Sequence, residues 1–486
     1  MSTAEKLHVL FASSEAEPLA KVGGLGDVAG ALPAEINRIA EDHVDIRLII
    51  PFHAVIKEKN PPVGWIGSFP IKTKTGQSLC DLYVTDLDGV ITYLLDSDGI
   101  NHNSPIYYGD ATLDGRKYAH FSLALLEAMR FIDWKIDVLH ANDWHTALAV
   151  YALKDLYKDD PFFTQTKTIL TVHNLPYNGY GADAAMTDLG FSPCSDPDLP
   201  DWARLTPLPV GLAAADRIIA VSPGYAEEIL TPDYGCGLDG YLRLHLDKLS
   251  GIVNGIDLEK WNPEADAYIG HPYSIDRLHS KQLNKLDLQR ELGLEMNPEI
   301  PMLTVVSRLD FQKGIGLIFD ALPDLADQAW QLVILGTGAK ELEERAQEIA
   351  AVFPDKVVSI LKYDNALSHK LYASGDIFLM PSLYEPCGLS QMIAMRYGNI
   401  PVARATGGLK NTIIDFHASP ERATGFLFEE KTAEGLKTTL EMALNVFKNK
   451  QIWYRLQRNA MSTDFSWKRS ALQYLQMYQE LSQNLK

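Results

Sequence analysis

Short apolar runs alternate with longer amphipathic stretches along most of this chain. In the first half, residues 7–12, 46–50, 138–140, 168–172 and 217–221 are brief runs rich in Val, Ile and Leu. That is the pattern of strands buried on both faces. Between several of them lie helical patterns. Residues 118–131 set Phe121, Leu125 and Met129 four apart on one face, and residues 146–157 form another such stretch. The alternation predicts βαβ units and a parallel sheet.

The second half repeats the theme. Strands are expected at 302–306, 332–335, 357–361, 377–380 and 400–403, with helices at 317–322, 341–353, 368–373 and 390–397. Two successive α/β units predict two doubly wound domains facing one cleft, with ligands beyond the carboxyl ends of the strands. The boundary is expected between Val253 and Pro301. There the run Trp-Asn-Pro at 261–263, a further proline at 272 and mixed polar residues read as a connector rather than a core element. Near the end, Leu472, Leu475, Tyr478 and Leu481 have helical spacing and predict a long amphipathic helix over 467–483 that packs on one of the domains.

Composition narrows the function classes. The 486 residues exceed one ordinary core, and 46% hydrophobic with 22% charged residues is average for a soluble protein. A formal net charge of -19 argues against nucleic acid or an anionic membrane as partner. A few local cations can still reverse the field within one cleft. Cys80, Cys194, Cys236 and Cys387 form no CxxC pair, and so few cysteines predict a reducing compartment. The chain enters a strand pattern at once without an apolar signal region, and no apolar run approaches membrane-spanning length. The expectation is a soluble, cytoplasmic protein with no membrane partner.

Several segments carry candidate chemistry. Lys21-Val22-Gly23-Gly24-Leu25-Gly26-Asp27 follows the first strand and opens a helical pattern. Paired glycines let the backbone approach a ligand, and free amides at a helix start attract an anion. The alternative is a tight glycine turn with a surface lysine. Ser307-Arg308-Leu309-Asp310-Phe311-Gln312-Lys313 follows a strand in the second half. Its two cations, five apart across a turn, are placed to reach one diphosphate; the alternative is a solvated loop. In Tyr384-Glu385-Pro386-Cys387-Gly388-Leu389-Ser390 the proline and glycine set a tight turn, the helix from Ser390 offers amides, and Glu385 is placed at the mouth of the cleft. Cys387 reads as a packed side chain, with nothing basic beside it. His140 and His145 are five apart, the wrong spacing for a metal pair on one helical face, so no metal site is expected.

Taken together, KVGGLGDV, HANDWHT, TVHN, VNGID followed by WNP, SRLDFQKG, PSLYEPCGLSQ and ATGGL occur in an order that resembles the bacterial glycogen synthase and plant starch synthase family, from about residue 7 to 465. The resemblance implies an α/β protein with two Rossmann-like domains of the GT-B glycosyltransferase architecture and an interdomain active-site cleft. The first domain would span residues 1–255 and the second 256–460, with a helical segment at 461–486 crossing back to the first. It implies retaining transfer of glucose from ADP-glucose, or UDP-glucose in some members, to an α-1,4-glucan, with no metal and no cofactor. By the same resemblance Lys21, Gly23 and Gly24 cover the donor phosphates, with Asp27 in the same motif. Arg308 and Lys313 neutralise the diphosphate with the amides around Cys387, Gly388, Leu389 and Ser390. Tyr363 stacks on the adenine, His173 and Asp143 hold the glucosyl unit, Asn254 lies near the sugar, and Glu385 is the carboxylate needed for activity.

One position departs from the wider architecture. Many retaining transferases carry a second Glu eight residues after the first, and here that residue is Ile393, which fits the synthases and disfavours sucrose-type transferases. A catalytically silent glucan-binding scaffold is the contrasting class. It predicts losses at Lys21, Arg308, Lys313 or Glu385, and all four are present.

Overall fold

The computed structural model describes residues 6–74, 76–100 and 103–483. They form two compact units. One comprises residues up to Gly255 together with those from Trp467 onward, and the other is Ile256–Ser466.

The first unit is built on β1 (Leu7–Ala12), β2 (Val44–Pro51), β3 (Gly64–Thr73), β4 (Gly76–Leu87), β5 (Val90–Ser97), β6 (Val138–Asn142), β7 (Lys167–Val172), β8 (Arg217–Ala220) and β9 (Leu249–Gly251). Among the described residues they pair in the order β3-β4-β5-β2-β1-β6-β7-β8-β9. Pairing is parallel from β5 through β9 and antiparallel across β3, β4 and β5. The parallel strands are the continuous apolar runs of the sequence; all five residues of β6 are buried. The hairpins at β3–β5 were not expected. Phe69 and Ile71 alternate with exposed Ser68, Pro70 and Lys72, a period of two that lacks a solid apolar run.

The helix Trp467–Gln483 completes this unit's core. Trp467, Ala471, Tyr474, Tyr478 and Leu481 pack with Val28, Leu32 and Ile36 of the helix Gly24–Ala40. Of the expected stripe, Tyr478 and Leu481 are buried and Leu475 packs against the core, while Leu472 is half exposed; the aromatic Trp467 and Tyr474 with small Ala471 widen the contact beyond it. Tyr478 Oη lies 2.6 Å from His140 Nδ1, while His140 Nε2 meets Thr171 Oγ1 at 2.8 Å. Burial keeps this imidazole neutral, so one nitrogen donates and the other accepts. His140 is a packing residue.

The second unit carries β10 (Met302–Val306), β11 (Gln331–Leu335), β12 (Val357–Ile360), β13 (Ile377–Met380), β14 (Ile400–Arg404) and β15 (Phe426–Phe428), in the order β12-β11-β10-β13-β14-β15. All neighbours are parallel. The stretch 256–301, expected as a connector, contributes to this core instead. Its helix Lys281–Glu291 buries Leu288 beside Met302 and Val333. Trp261 stacks on His369 at 4.2 Å, and buried Lys285 pairs with Asp376 at 2.6 Å. Its prolines mark turns in a packed segment. No helix of the described residues is long and apolar enough to cross a membrane.

Candidate active site

Each sheet has a point where the chain reverses its direction of growth. In the first unit β2 is added on one side of β1 and β6 on the other; in the second, β11 and β13 flank β10 in the same way. Loops leaving the carboxyl ends of such a strand pair diverge and leave room for a ligand. The loop after β1 carries Glu15 and the glycine turn, that after β6 carries Asp143, and that after β7 carries His173. In the second unit Arg308 and Lys313 follow β10, and Glu385 follows β13.

In the first unit, Asp143 has φ 55° and ψ -174°, a region rarely adopted by residues with a side chain and costing about 1–3 kcal/mol. Its carboxylate accepts the His173 amide at 2.7 Å and the Asn174 amide at 3.3 Å, fastening the end of β6 to the end of β7. Burial pushes this carboxyl up to about 7 against those two bonds. Burial holds His173 neutral. Its Nε2 is 2.9 Å from Asn142 Oδ1, whose amide nitrogen donates to the Ala12 carbonyl at 3.0 Å. That orientation makes Nε2 the donor and leaves Nδ1 as an acceptor. Asn254 is buried, and its Oδ1 has no hydrogen-bond partner among the described residues. A buried acceptor in that state costs about 1–3 kcal/mol, which a ligand hydroxyl can recover.

The glycine turn brings Lys21, Gly23, Gly24 and Asp27 together, but its groups are engaged within the chain. Gly23 caps the helix Gly24–Ala40. The Val22 and Gly23 amides both donate to the Glu15 carboxylate, Gly23 at 3.3 Å. The Lys21 ammonium lies 2.7 Å from both Glu17 and Asp27. Burial pushes Glu15 up to about 7 and Asp27 to about 6.

In the second unit, Lys313 Nζ is 2.7 Å from Glu385 Oε2, to which Ser382 Oγ donates at 2.9 Å. The loops holding them touch backbone to backbone. Gly314 has φ 63°, and a Cβ there would stand 2.0 Å from the Pro381 carbonyl oxygen. Leu383 donates its amide to the Gln312 carbonyl at 2.8 Å. Buried Arg404, at the end of β14, donates to the Ser382 carbonyl at 2.8 Å and to Leu383 at 2.7 Å. Beyond it the Gly408 amide donates to the Glu385 carbonyl at 3.1 Å. The carboxylate therefore sits on a fixed loop.

The two cations diverge. Arg308 is largely exposed, 3.6 Å from Asp310, and does not join the Lys313–Glu385 pair. Both still line one cavity of about 120 Å³ with Ser307, Ser382 and Ser390. Cys387 is buried, Gly388 takes φ 75°, and Leu389 leads into the helix Ser390–Arg396. Tyr363, beyond β12, is 85% exposed. The sequence reading missed Glu15, Asn142, Ser382 and Arg404. Asn142 and Ser382 lie inside the motifs HANDWHT and PSLYEPCGLSQ, and all four share a position at or just past the carboxyl end of a strand.

Residues 8–244 match the family described as starch synthase catalytic domain, and residues 291–455 match glycosyl transferases group 1. A glycogen synthase from Clostridium perfringens is 42% identical, the alignment covering 98% of each chain. One from Bacillus cereus is 37% identical over 98% of this chain and 100% of that one. Among solved structures, the catalytic domain of starch synthase IV from Arabidopsis thaliana, bound to ADP and acarbose, matches with a TM-score of 0.88 at 31% identity, over 98% of this chain and 99% of that one. A sucrose-phosphate synthase from Thermosynechococcus elongatus shares the fold, with a TM-score of 0.63 at 20% identity over 99% and 100% of the two chains.

Proposed function

The chain belongs to the glycogen and starch synthase family of glycosyltransferases, and on that premise we propose how its residues divide the work of moving glucose, with retention, from ADP-glucose to the non-reducing end of an α-1,4-glucan. The observation that carries the assignment is the Lys313–Glu385 pair, with Glu385 buried and Lys313 partly so, on interlocked loops. A departing diphosphate gathers negative charge, and cations already in place stabilise it without reorganising. Lys313 and Arg308 take that part, a task for which other transferases employ a metal ion. The amides around Cys387, Gly388, Leu389 and Ser390 assist them.

Glu385 positions the Lys313 ammonium and supports the sugar as its anomeric carbon turns cationic. Attack on the same face, with the leaving phosphate accepting the acceptor's proton, fits a carboxylate engaged as a counter-ion rather than free as a nucleophile. Asp143, the His173 Nδ1 acceptor and Asn254 Oδ1 hold the glucosyl hydroxyls. Lys21, Gly23, Gly24 and Asp27 attend the donor phosphates from the first unit, and Tyr363 stacks on the base. The ADP bound by the Arabidopsis relative supports an adenine nucleotide. Four free thiols suit the reducing cytoplasm.

The test is glucosyl transfer to glycogen from ADP-glucose and, separately, UDP-glucose, in EDTA, with Lys313→Ala in parallel. Activity with ADP-glucose that survives chelation and falls steeply in the variant is the expected result. Transfer from UDP-glucose alone would overturn the donor assignment. Transfer from neither donor, with glycogen binding intact, would point to a scaffold.

A further inference from the structure

We propose that Glu15 is an internal stand-in for a donor phosphate, its carboxylate occupying the amides of the glycine turn until the diphosphate displaces it. The inference rests on the reading above that this turn receives donor phosphates.

Glu15 is 2% exposed, and both oxygens face the turn: the Val22 amide donates to one and the Gly23 amide reaches both. These amides lead into the 17-residue helix Gly24–Ala40, whose start favours negative charge. A carboxylate and a phosphate make the same demand on such a pair of N–H groups, so the two compete for it. The neighbouring Lys21 is likewise engaged, shared between Glu17 and Asp27.

Other groups around Glu15 do little to hold its charge in place. Asp27 from the helix and Asp143 from the end of β6 oppose it, Tyr118 faces it from the next helix, and the Tyr107 hydroxyl, hydrogen-bonded to the carboxylate, is the side chain beside Lys21 that supports it. Lys21 is the cation that acts on it. Burial raises the carboxyl to about 7, so the charged form is retained at a cost that the arriving diphosphate relieves. Donor affinity in the resting protein is accordingly held below what the bare turn would give.

Glu15→Gln keeps the shape and an acceptor oxygen but removes the charge. ADP binding measured by titration calorimetry is expected to tighten about three- to tenfold at about pH 8, a gain of up to about 1.4 kcal/mol. The gap from wild type should close below about pH 6, where Glu15 is protonated and no longer competes as an anion. Glu15→Ala should shift affinity in the same direction, with melting curves confirming that both variants fold. A merely bracing side chain predicts the opposite. ADP bound equally or more weakly by the folded variants would overturn the role of Glu15 alone. A wild-type chain that fails to bind ADP would overturn the donor reading and this inference with it.

Discussion

Lys313 and Glu385 are 72 positions apart in the chain and meet as an ion pair 2.7 Å long, with side-chain exposures of only 19% and 7%. Each partner fixes the other where water screens little. Truncating one side of such a pair costs about 3–5 kcal/mol when fully buried, and the partial exposure of Lys313 places this pair at or below the lower end. Lys313→Ala is therefore expected to lower the melting temperature by several degrees and turnover by at least about a hundredfold. Glu385→Gln keeps an acceptor for Ser382 but leaves the ammonium without its counter-ion; turnover should fall comparably while the fold persists. Initial rates and thermal melts check both, and near-full turnover in Glu385→Gln would remove the carboxylate from the mechanism.

Tyr363 offers the converse case. At 85% exposure its ring supports little of the fold. Tyr363→Ala should change stability by less than about 0.5 kcal/mol. A stacked base is worth about 1–3 kcal/mol, so KM for the donor should rise roughly tenfold or more. An unchanged KM would show that the base binds elsewhere.

Asp143 should give stability a pH signature. Burial raises its carboxyl from the ordinary 3.8 to about 7, so the folded chain holds the proton more tightly than the unfolded one. That contribution is fully present below about pH 4 and is lost as pH rises through about 7. Asp143→Asn keeps an oxygen for the His173 and Asn174 amides but cannot ionise. Its stability relative to wild type, read from melting curves, should climb between about pH 4 and about pH 7 and level off above, at up to about 1.4 kcal/mol per pH unit, while activity falls. A difference that stays flat with pH would contradict the assignment.

Gly314→Ala probes the contact between the two loops of the second unit. The substitution meets both φ 63° and the Pro381 carbonyl at 2.0 Å. We expect a loss above about 1–2 kcal/mol in stability. Because Lys313 and Ser382 flank the contact, kcat should drop with it. A folded variant with unchanged kcat would mean that the loops are not jointly set.

The parallel strands were legible because burial on both faces demands solid apolar runs, and β1 and β10 match the expected spans residue for residue. The β3–β5 hairpins were not, since Phe69 and Ile71 alternate with polar residues and Pro70 interrupts the pattern. On the helix Trp467–Gln483 the spacing of Leu475, Tyr478 and Leu481 marks the core face but Leu472 lies off it, and Ala471 and Tyr474 join that face because a small residue admits the neighbouring helix and the ring fills the space beside His140. The site divides in the same way. Arg308, Lys313 and Glu385 could be named from their motifs, but the Lys313–Glu385 bond could not, since it depends on how β10 and β13 lie side by side. The place of Glu15 is not legible in the sequence because its partners are the Val22 and Gly23 backbone amides, which a string of side-chain letters does not display.

The helix Trp467–Gln483 also sets an order in time. On the ribosome the residues up to Gly255 emerge first, but the core they build includes Trp467, Tyr474 and Tyr478, which are made only after the whole second unit. During that interval the flank of the helix Gly24–Ala40 that will receive them faces water, and His140 lacks its tyrosine. The part of the chain synthesised first is thus among the last to be finished, and the nascent protein must keep an open apolar surface from sticking elsewhere until its missing helix arrives.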